Sequence, residues 1–401
     1  MSTENQISKS KNALLVLPSA NGENEEIKYL KDNFCGEVFE NPADVQLSNY
    51  LRVYACGDLE KLEDQGISID VIEELSSNYE NLGNIRVIKL GQVPVVIHDA
   101  GVYFRDMFDD YDYFNLIQSE HVFQELTEST KQSKALRKGI YLSPVSKEAT
   151  NEGEVLHYRL LRCSSNLTGP TDNFRKADHN IVDTLNDAVR HVFDKETQFN
   201  HVLAQVYENQ KSENGKEAKA KIKAHSDKTK DMPLEGLIAF CTFYDQSQFG
   251  YLQPSQTDRY DWCYKKASGL TRLLFKLKNN VQDTSLVKEF SVTLYPNSVF
   301  LIPLSTNRLY THEIRPSTLN VDMIPVRMGY VARCSNLEAV YKNDEVFIKE
   351  NGELLKLEPM TEETMGDLRN SYYKENISEE MVEYGKIRFS MNSGDYKRPI
   401  Y

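Results

Sequence analysis

The residues best placed to do chemistry are His225, Asp227 and His312. His225-Ser226-Asp227 puts an imidazole and a carboxylate two positions apart, and His312 supplies a second imidazole further along the chain. Two imidazoles and one carboxylate can occupy one face of an iron atom and leave the remaining positions open, the arrangement of non-haem Fe(II) oxygenases. Side chains two apart in a strand share a face, so one strand can supply both His225 and Asp227. Arg327 and Arg333, six apart, share a face by the same rule.

Elements of suitable length surround these residues. From 202 onward the chain reads as short strands at 202–207, 222–224, 237–244, 270–277, 290–294, 298–302 and 328–332. Turn pairs such as Asn214-Gly215, Asn279-Asn280 and Pro296-Asn297 separate them, which predicts an antiparallel sandwich or barrel. A helix capped by Asp178 is predicted to run to about 193, with Ile181, Leu185, Ala188, Val189 and Val192 on one face. Between 94 and 163 the pattern predicts helical turns at 113–117 and 123–126, after an acidic run at 106–112. Strands follow at 137–142 and 158–163, then a polar loop at 164–173.

Residues 1–95 read as a small α/β domain. Its predicted parts are a disordered tail over 1–12, a strand at 13–18, a turn at 19–22 and a helix at 25–34. A strand at 51–55, a helix at 70–79 and a strand at 85–90 complete it. It contains neither Gly-x-Gly-x-x-Gly nor a phosphate loop, which leaves an interaction or scaffolding role. Residues 346–401 read as a C-terminal extension. It comprises a hairpin turning at Asn351-Gly352, a helix from Thr361 to about 373 and a polar, irregular end from 387.

Six cysteines are scattered without a Cys-x-x-Cys, which argues against a zinc ribbon or a disulfide framework. The absence of a long apolar run and of a signal-peptide pattern predicts no membrane span and a cytoplasmic or nuclear location. Net charge is −13, which opposes generic nucleic-acid binding. Residues 211–280, however, carry 13 Lys/Arg against 8 Asp/Glu, a local surplus able to attract a polyanion at short range or simply to form a solvated lysine face. The single histidines His98, His121, His179 and His191 read as structural or exposed rather than as ligands.

From about 199 to 333 the residues resemble the AlkB branch of the 2-oxoglutarate/Fe(II)-dependent dioxygenases. The resemblance rests on His225-Ser226-Asp227-Lys228, on Asn307-Arg308-Leu309-Tyr310-Thr311-His312-Glu313-Ile314 and on Arg327-Met328-Gly329-Tyr330-Val331-Ala332-Arg333. Phe199-Asn200 and Tyr207 add to it, with Gln205 where the family usually has asparagine. It implies an α+β protein whose core, residues 96–345, is a double-stranded β-helix (jelly-roll) buttressed by helices. It also implies His225, Asp227 and His312 as Fe(II) ligands, with 2-oxoglutarate and dioxygen filling the open positions. Arg327 and Tyr207 would hold the distal carboxylate of 2-oxoglutarate, Gln205 would touch the cosubstrate, and Arg333 would support it or reach toward the substrate. The implied chemistry couples oxidative decarboxylation to succinate and carbon dioxide with hydroxylation of a substrate C–H. A hydroxylated N-methyl group then collapses to formaldehyde and an amine. A zinc site built from the same three ligands is the alternative; the spaced arginines favour iron with 2-oxoglutarate.

Arg308 and Tyr310, just before His312, are expected to line the mouth of the site. In the insert after the first metal arm, Trp262, Tyr260 and Arg272 are candidates for stacking a base and holding its phosphates, or else form a lid packed on the barrel. The leading expectation is oxidation of a nucleic acid or nucleobase. A protein side-chain hydroxylase or demethylase is the second, and a non-catalytic interaction protein the third.

Overall fold

The computed structural model describes residues 4–18, 24–60, 62, 66–108, 111–127, 134–151, 153–162 and 167–401, residue 134 for its backbone alone. The turn at 19–22, part of the acidic run, Cys163 and the start of the polar loop lie outside these residues. Among the described residues there are five α-helices: α1 (Glu25–Asn33), α2 (Tyr113–Glu120), α3 (Lys176–Val192), α4 (Leu304–Leu309) and α5 (Glu362–Ile377). No helix among them is long and apolar enough to cross a membrane. The architecture is mixed α and β, dominated by strands.

The N-terminal region is a five-stranded, wholly parallel sheet ordered Glu37–Phe39, Asn12–Val16, Arg52–Asp58, Ile69–Ser77, Ile85–Ile88. Residues 69–77 therefore form a strand, not the predicted helix. Ile69, Val71 and Ile72 are β-branched and buried. A parallel strand covered on both faces reads as an apolar run whose spacing imitates a helical stripe. Residues 4–11, before the first strand, are also ordered, contrary to that part of the predicted tail. Asn5 is fully buried, and its side-chain amide donates to the carbonyls of Lys195 and Glu235 at 2.9 and 3.2 Å.

A nine-stranded sheet and a four-stranded sheet form the centre. The nine-stranded sheet includes the strands Lys134–Ser143, His201–Tyr207, Arg327–Arg333, Leu237–Tyr244, Val299–Pro303 and Gly101–Phe104, in that order. The four-stranded sheet runs Ile222–His225, Tyr310–Arg315, Arg272–Leu277, Glu289–Thr293. Alternation divides the large sheet cleanly. Ala239, Cys241, Phe243, Met328, Tyr330 and Ala332 pack on α2 and α3. Ile238, Phe240, Phe300 and Ile302 face Leu273, Phe275, Phe290 and Ile314 of the small sheet. The latter core runs on without a break into Leu14, Tyr54 and Ile72 of the N-terminal sheet. Residues 123–126, predicted as helical, instead contribute an edge strand, Gln124–Thr127.

The C-terminal hairpin forms as expected: Glu345–Glu350 pairs with Glu353–Lys356 through Asn351 and Gly352, both at positive φ. It belongs to a five-stranded antiparallel sheet that also takes Ser146–Thr150 and Gly153–Leu160 from the middle of the chain.

Helix α3 starts two residues before the predicted cap. Asp178 sits in its first turn and accepts the backbone N–H of Arg175 at 2.7 Å. The same carboxyl group holds His121, whose two ring nitrogens lie 2.8 Å from Asp172 and Asp178. Burial lowers the imidazole pKa, but the two carboxylates outweigh it and raise His121 to about 9. With both nitrogens engaged, this histidine is structural. Its folded pKa lies above the unfolded value, so its contribution is complete below about pH 6.5 and is lost as pH rises through about 9. The urea midpoint should fall across that window. His121→Asn should remove the slope and cost about 1.5–3 kcal/mol by taking away the shared cation, although Asp172 keeps Arg175 and Asp178 keeps the Tyr330 hydroxyl.

Candidate metal centre

The strand Ile222–His225 pairs with Tyr310–Arg315, and a bulge between Ile222 and His225 sets His225 directly opposite His312. The two rings lie 4.5 Å apart between centroids. Asp227 Oδ1 is 3.6 Å from His225 Nε2 and 3.8 Å from His312 Nε2. One donor atom from each of the three residues thus falls within 4.8 Å of the others. His225 Nδ1 donates to the Lys223 carbonyl at 2.9 Å, which leaves the Nε2 lone pair for the centre. His312 is buried beside the rings of Phe240 and Phe275. Burial, and next the neighbouring His225, lower its pKa to about 3, so it is the neutral imidazole that metals bind.

Asp227 is not placed by strand alternation, because the strand ends at His225. It is placed by Asn307 at the end of the short helix α4. That side chain accepts the Asp227 backbone N–H at 2.7 Å and donates to its carbonyl at 2.9 Å. Arg333 closes the other side, with Nε and Nη2 at 2.8 and 2.6 Å from Asp227 Oδ2. Burial alone would raise the Asp227 pKa; the Arg333 guanidinium and the two imidazoles hold it well below the usual carboxylate range. Two guanidinium nitrogens of Arg333 go to this carboxylate and turn its other oxygen toward the imidazoles, while Nη1 lies 3.4 Å from the Val331 carbonyl.

Arg327 is differently placed. In the large sheet, Arg137, Tyr207, Arg327 and Tyr244 form one row across four neighbouring strands. The Arg327 guanidinium lies 4.0 Å from the centre of the Tyr207 ring, and Tyr207 donates its hydroxyl to Gln205 Oε1 at 3.3 Å. Arg327 is 3% exposed, yet its Nε and Nη2 have no hydrogen-bond partner. Arg137 Nε and Thr242 Oγ1 are also buried without partners. Gly329 makes room for the group, since a Cβ there would lie 3.0 Å from Arg327 Nη1 and 3.3 Å from Tyr207. Buried donors without acceptors are costly, and a carboxylate is the acceptor that a guanidinium fork fits. The row thus suits a carboxylate ligand, and two imidazoles with one carboxylate suit a divalent metal such as Fe(II).

The remaining candidates do not join the site. Tyr310 is 2% exposed; its ring packs on Phe290 and its hydroxyl donates to the Val287 carbonyl. Arg308 pairs with Glu4 at 2.6 Å and donates to the Glu379 carbonyl. Arg308 nevertheless lines a cavity beside the loop that carries Asp227, which Tyr310 does not. Trp262 packs on Phe249, and Tyr260 packs on Tyr295 and under the Arg105 guanidinium. The insert is tied to the N-terminal region through Arg259, which pairs with Glu26 and Glu74. Arg272 is exposed on the face of its strand opposite Phe275, which pairs with His312. These three residues therefore belong to a packed flap and an outer surface. Asn307 and Arg137 were missed in the sequence because an amide that grips backbone groups follows no spacing rule. Arg137 stood in what read as a turn entering a strand.

No family model matches the chain, and no curated protein matches it. Among solved structures, one described as the structure of OsALKBH1 is similar at a TM-score of 0.33 and 11% identity, over 58% of this chain and 97% of that one. The functional reading therefore rests on the geometry of this chain.

Proposed function

We propose that the chain is an Fe(II)- and 2-oxoglutarate-dependent dioxygenase, and that its two facing central sheets form a double-stranded β-helix. The observation that carries this reading is the convergence of His225, Asp227 and His312 in the same inter-sheet space that Arg327 enters with buried, partnerless donors. Bound iron with 2-oxoglutarate would supply oxidation of a C–H bond with release of succinate and carbon dioxide. The residues of the chain have separate tasks. His225, Asp227 and His312 hold the metal. Arg333 keeps Asp227 ionised and aimed. Arg327, with Tyr207 and Gln205 beside it, binds and orients 2-oxoglutarate. An assay of succinate release with Fe(II) and 2-oxoglutarate, across methylated DNA, RNA and peptide panels, tests the activity and its substrate together.

For the substrate we favour a nucleic acid or nucleobase. Several of the cations in 211–280 are already engaged: Lys219 donates to the Ser317 carbonyl, Lys230 pairs with Asp231, and Lys278 donates to the Glu375 carbonyl. Lys216, Lys221 and Lys223 remain exposed, the last two at the strand that carries His225. Three phosphate contacts give an expected slope of log K against log salt of about −2 to −3, measurable with a fluorescent oligonucleotide. The double variant Lys221→Glu/Lys223→Glu should flatten it. No binding at low salt would favour the second reading, a protein substrate. One observation supports that reading: the His225 strand is the edge of its sheet, with Lys223 and Ala224 exposed, and an extended peptide can add to such an edge.

A further inference from the structure

The loop after His225 carries the Asp227 ligand, and part of it is not set by close packing. Thr229, Lys230, Asp231 and Met232, together with Asn307, line a cavity of about 460 Å³. Hydrogen bonds hold the loop instead, and many come from the far end of the chain. The Ser226 N–H donates to Asn376 Oδ1 at 2.7 Å, and the Thr229 N–H donates to Glu375 Oε1 at 2.9 Å, with the Thr229 hydroxyl on the same oxygen. Lys228 Nζ lies 5.0 Å from the centre of the Tyr372 ring and 3.3 Å from the Tyr372 carbonyl. At the other end of the loop, Asp231 is gripped by Arg162, whose Nη1 donates to the carbonyls of Ile387 and Phe389. Tyr384 in turn donates its hydroxyl to Glu375.

We propose that α5 and the segment following it are positioning elements of the metal centre, and that metal affinity depends on Glu375 and Asn376 although neither is a ligand. The two side chains fix the backbone on both sides of Asp227, while Asn307 fixes Asp227 itself. Loss of either frees the loop to turn the carboxylate away from the imidazoles. This inference rests on the metal reading proposed above.

The test is a Co(II) titration of the full chain, followed by calorimetry and by the visible absorption of the bound ion. Asn376→Ala and Glu375→Ala should each weaken Co(II) about 10- to 100-fold, the usual effect of removing a group that orients a ligand. Asn376→Asp keeps the acceptor oxygen but loses the donation to the Tyr372 carbonyl, so it should restore only part of the affinity. Hydrogen exchange supplies a metal-free readout: Asn376→Ala should speed exchange of the Ser226 amide and leave the Val299–Pro303 strand unchanged. Asn376 is partly exposed, so its variant carries the test if Glu375→Ala does not fold. Asp227-dependent Co(II) binding with unaltered affinity in both alanine variants overturns the clamp and leaves the metal reading intact. Co(II) binding that Asp227→Ala does not reduce overturns the metal reading. In that case unchanged exchange at Ser226 overturns the clamp as well, and accelerated exchange retains it as a loop anchor.

Discussion

Asp227→Ala is expected to abolish metal binding and, with it, both substrate-linked and uncoupled succinate formation. The substitution removes one of three ligands and leaves Arg333, 5% exposed, without its carboxylate. Breaking a buried ion pair by removing one partner costs about 3–5 kcal/mol, so the variant should also melt earlier. Asp227→Asn separates the two effects. It keeps the shape of the side chain and its acceptor oxygen for Arg333, but it loses the charge that a divalent ion requires. Both variants should therefore lose turnover, while the asparagine variant retains more of the stability. Full activity in either variant, measured as succinate released per folded chain, would remove Asp227 from the centre.

Replacement of Arg327 should have the second largest effect, and in two opposite directions. Two charge-assisted hydrogen bonds at about 1.5–3 kcal/mol each imply that Arg327→Met weakens 2-oxoglutarate binding by about 100-fold or more. Lysine should not rescue it, since a point charge cannot form the fork. Without ligand, however, the same variant should be more stable than the wild type, because it removes a buried cation whose Nε and Nη2 have no partner. A melting temperature that rises in the free protein and no longer responds to 2-oxoglutarate is the expected signature. An unchanged cosubstrate titration would rule out the assigned role.

The sequence made the proposed metal ligands legible because their chemistry is local in type: histidine and aspartate at a short spacing, arginines in one strand. It also located the central strands but not which core each face enters, since Leu237–Tyr244 and Val299–Pro303 are buried on both sides. It was less informative where a side chain acts through partners far along the chain. The same-face rule placed Arg333 correctly beside the site, but only the three-dimensional structure shows that Asp227 takes its guanidinium. Tyr310 shares the face of His312, yet one step along the strand it is already under Phe290. The strand Ile69–Ser77 imitates a helix because burial on both faces erases alternation. Asn307 stood in a stretch that carries the resemblance but without a role, and Glu375 and Asn376 left no trace, as backbone-gripping amides and carboxylates have no characteristic neighbours.

The order of strands in the central sheets also bears on how the protein is made. The five parallel strands at the N-terminus pair only among themselves, so they can form while the rest of the chain is still being synthesised. The strand Gly101–Phe104 must then wait for Val299–Pro303, and Ile222–His225 for Tyr310–Arg315. His225 and Asp227 therefore emerge from the ribosome long before His312 and Arg333, with the apolar strand Leu237–Tyr244 uncovered in the interval. Such delayed, non-local pairing is slow and exposed to aggregation. Nascent chains of this protein should engage chaperones most strongly over the lengths between residues 244 and 333. Loading of the proposed metal must follow synthesis of His312, since no nascent chain short of it holds all three proposed ligands.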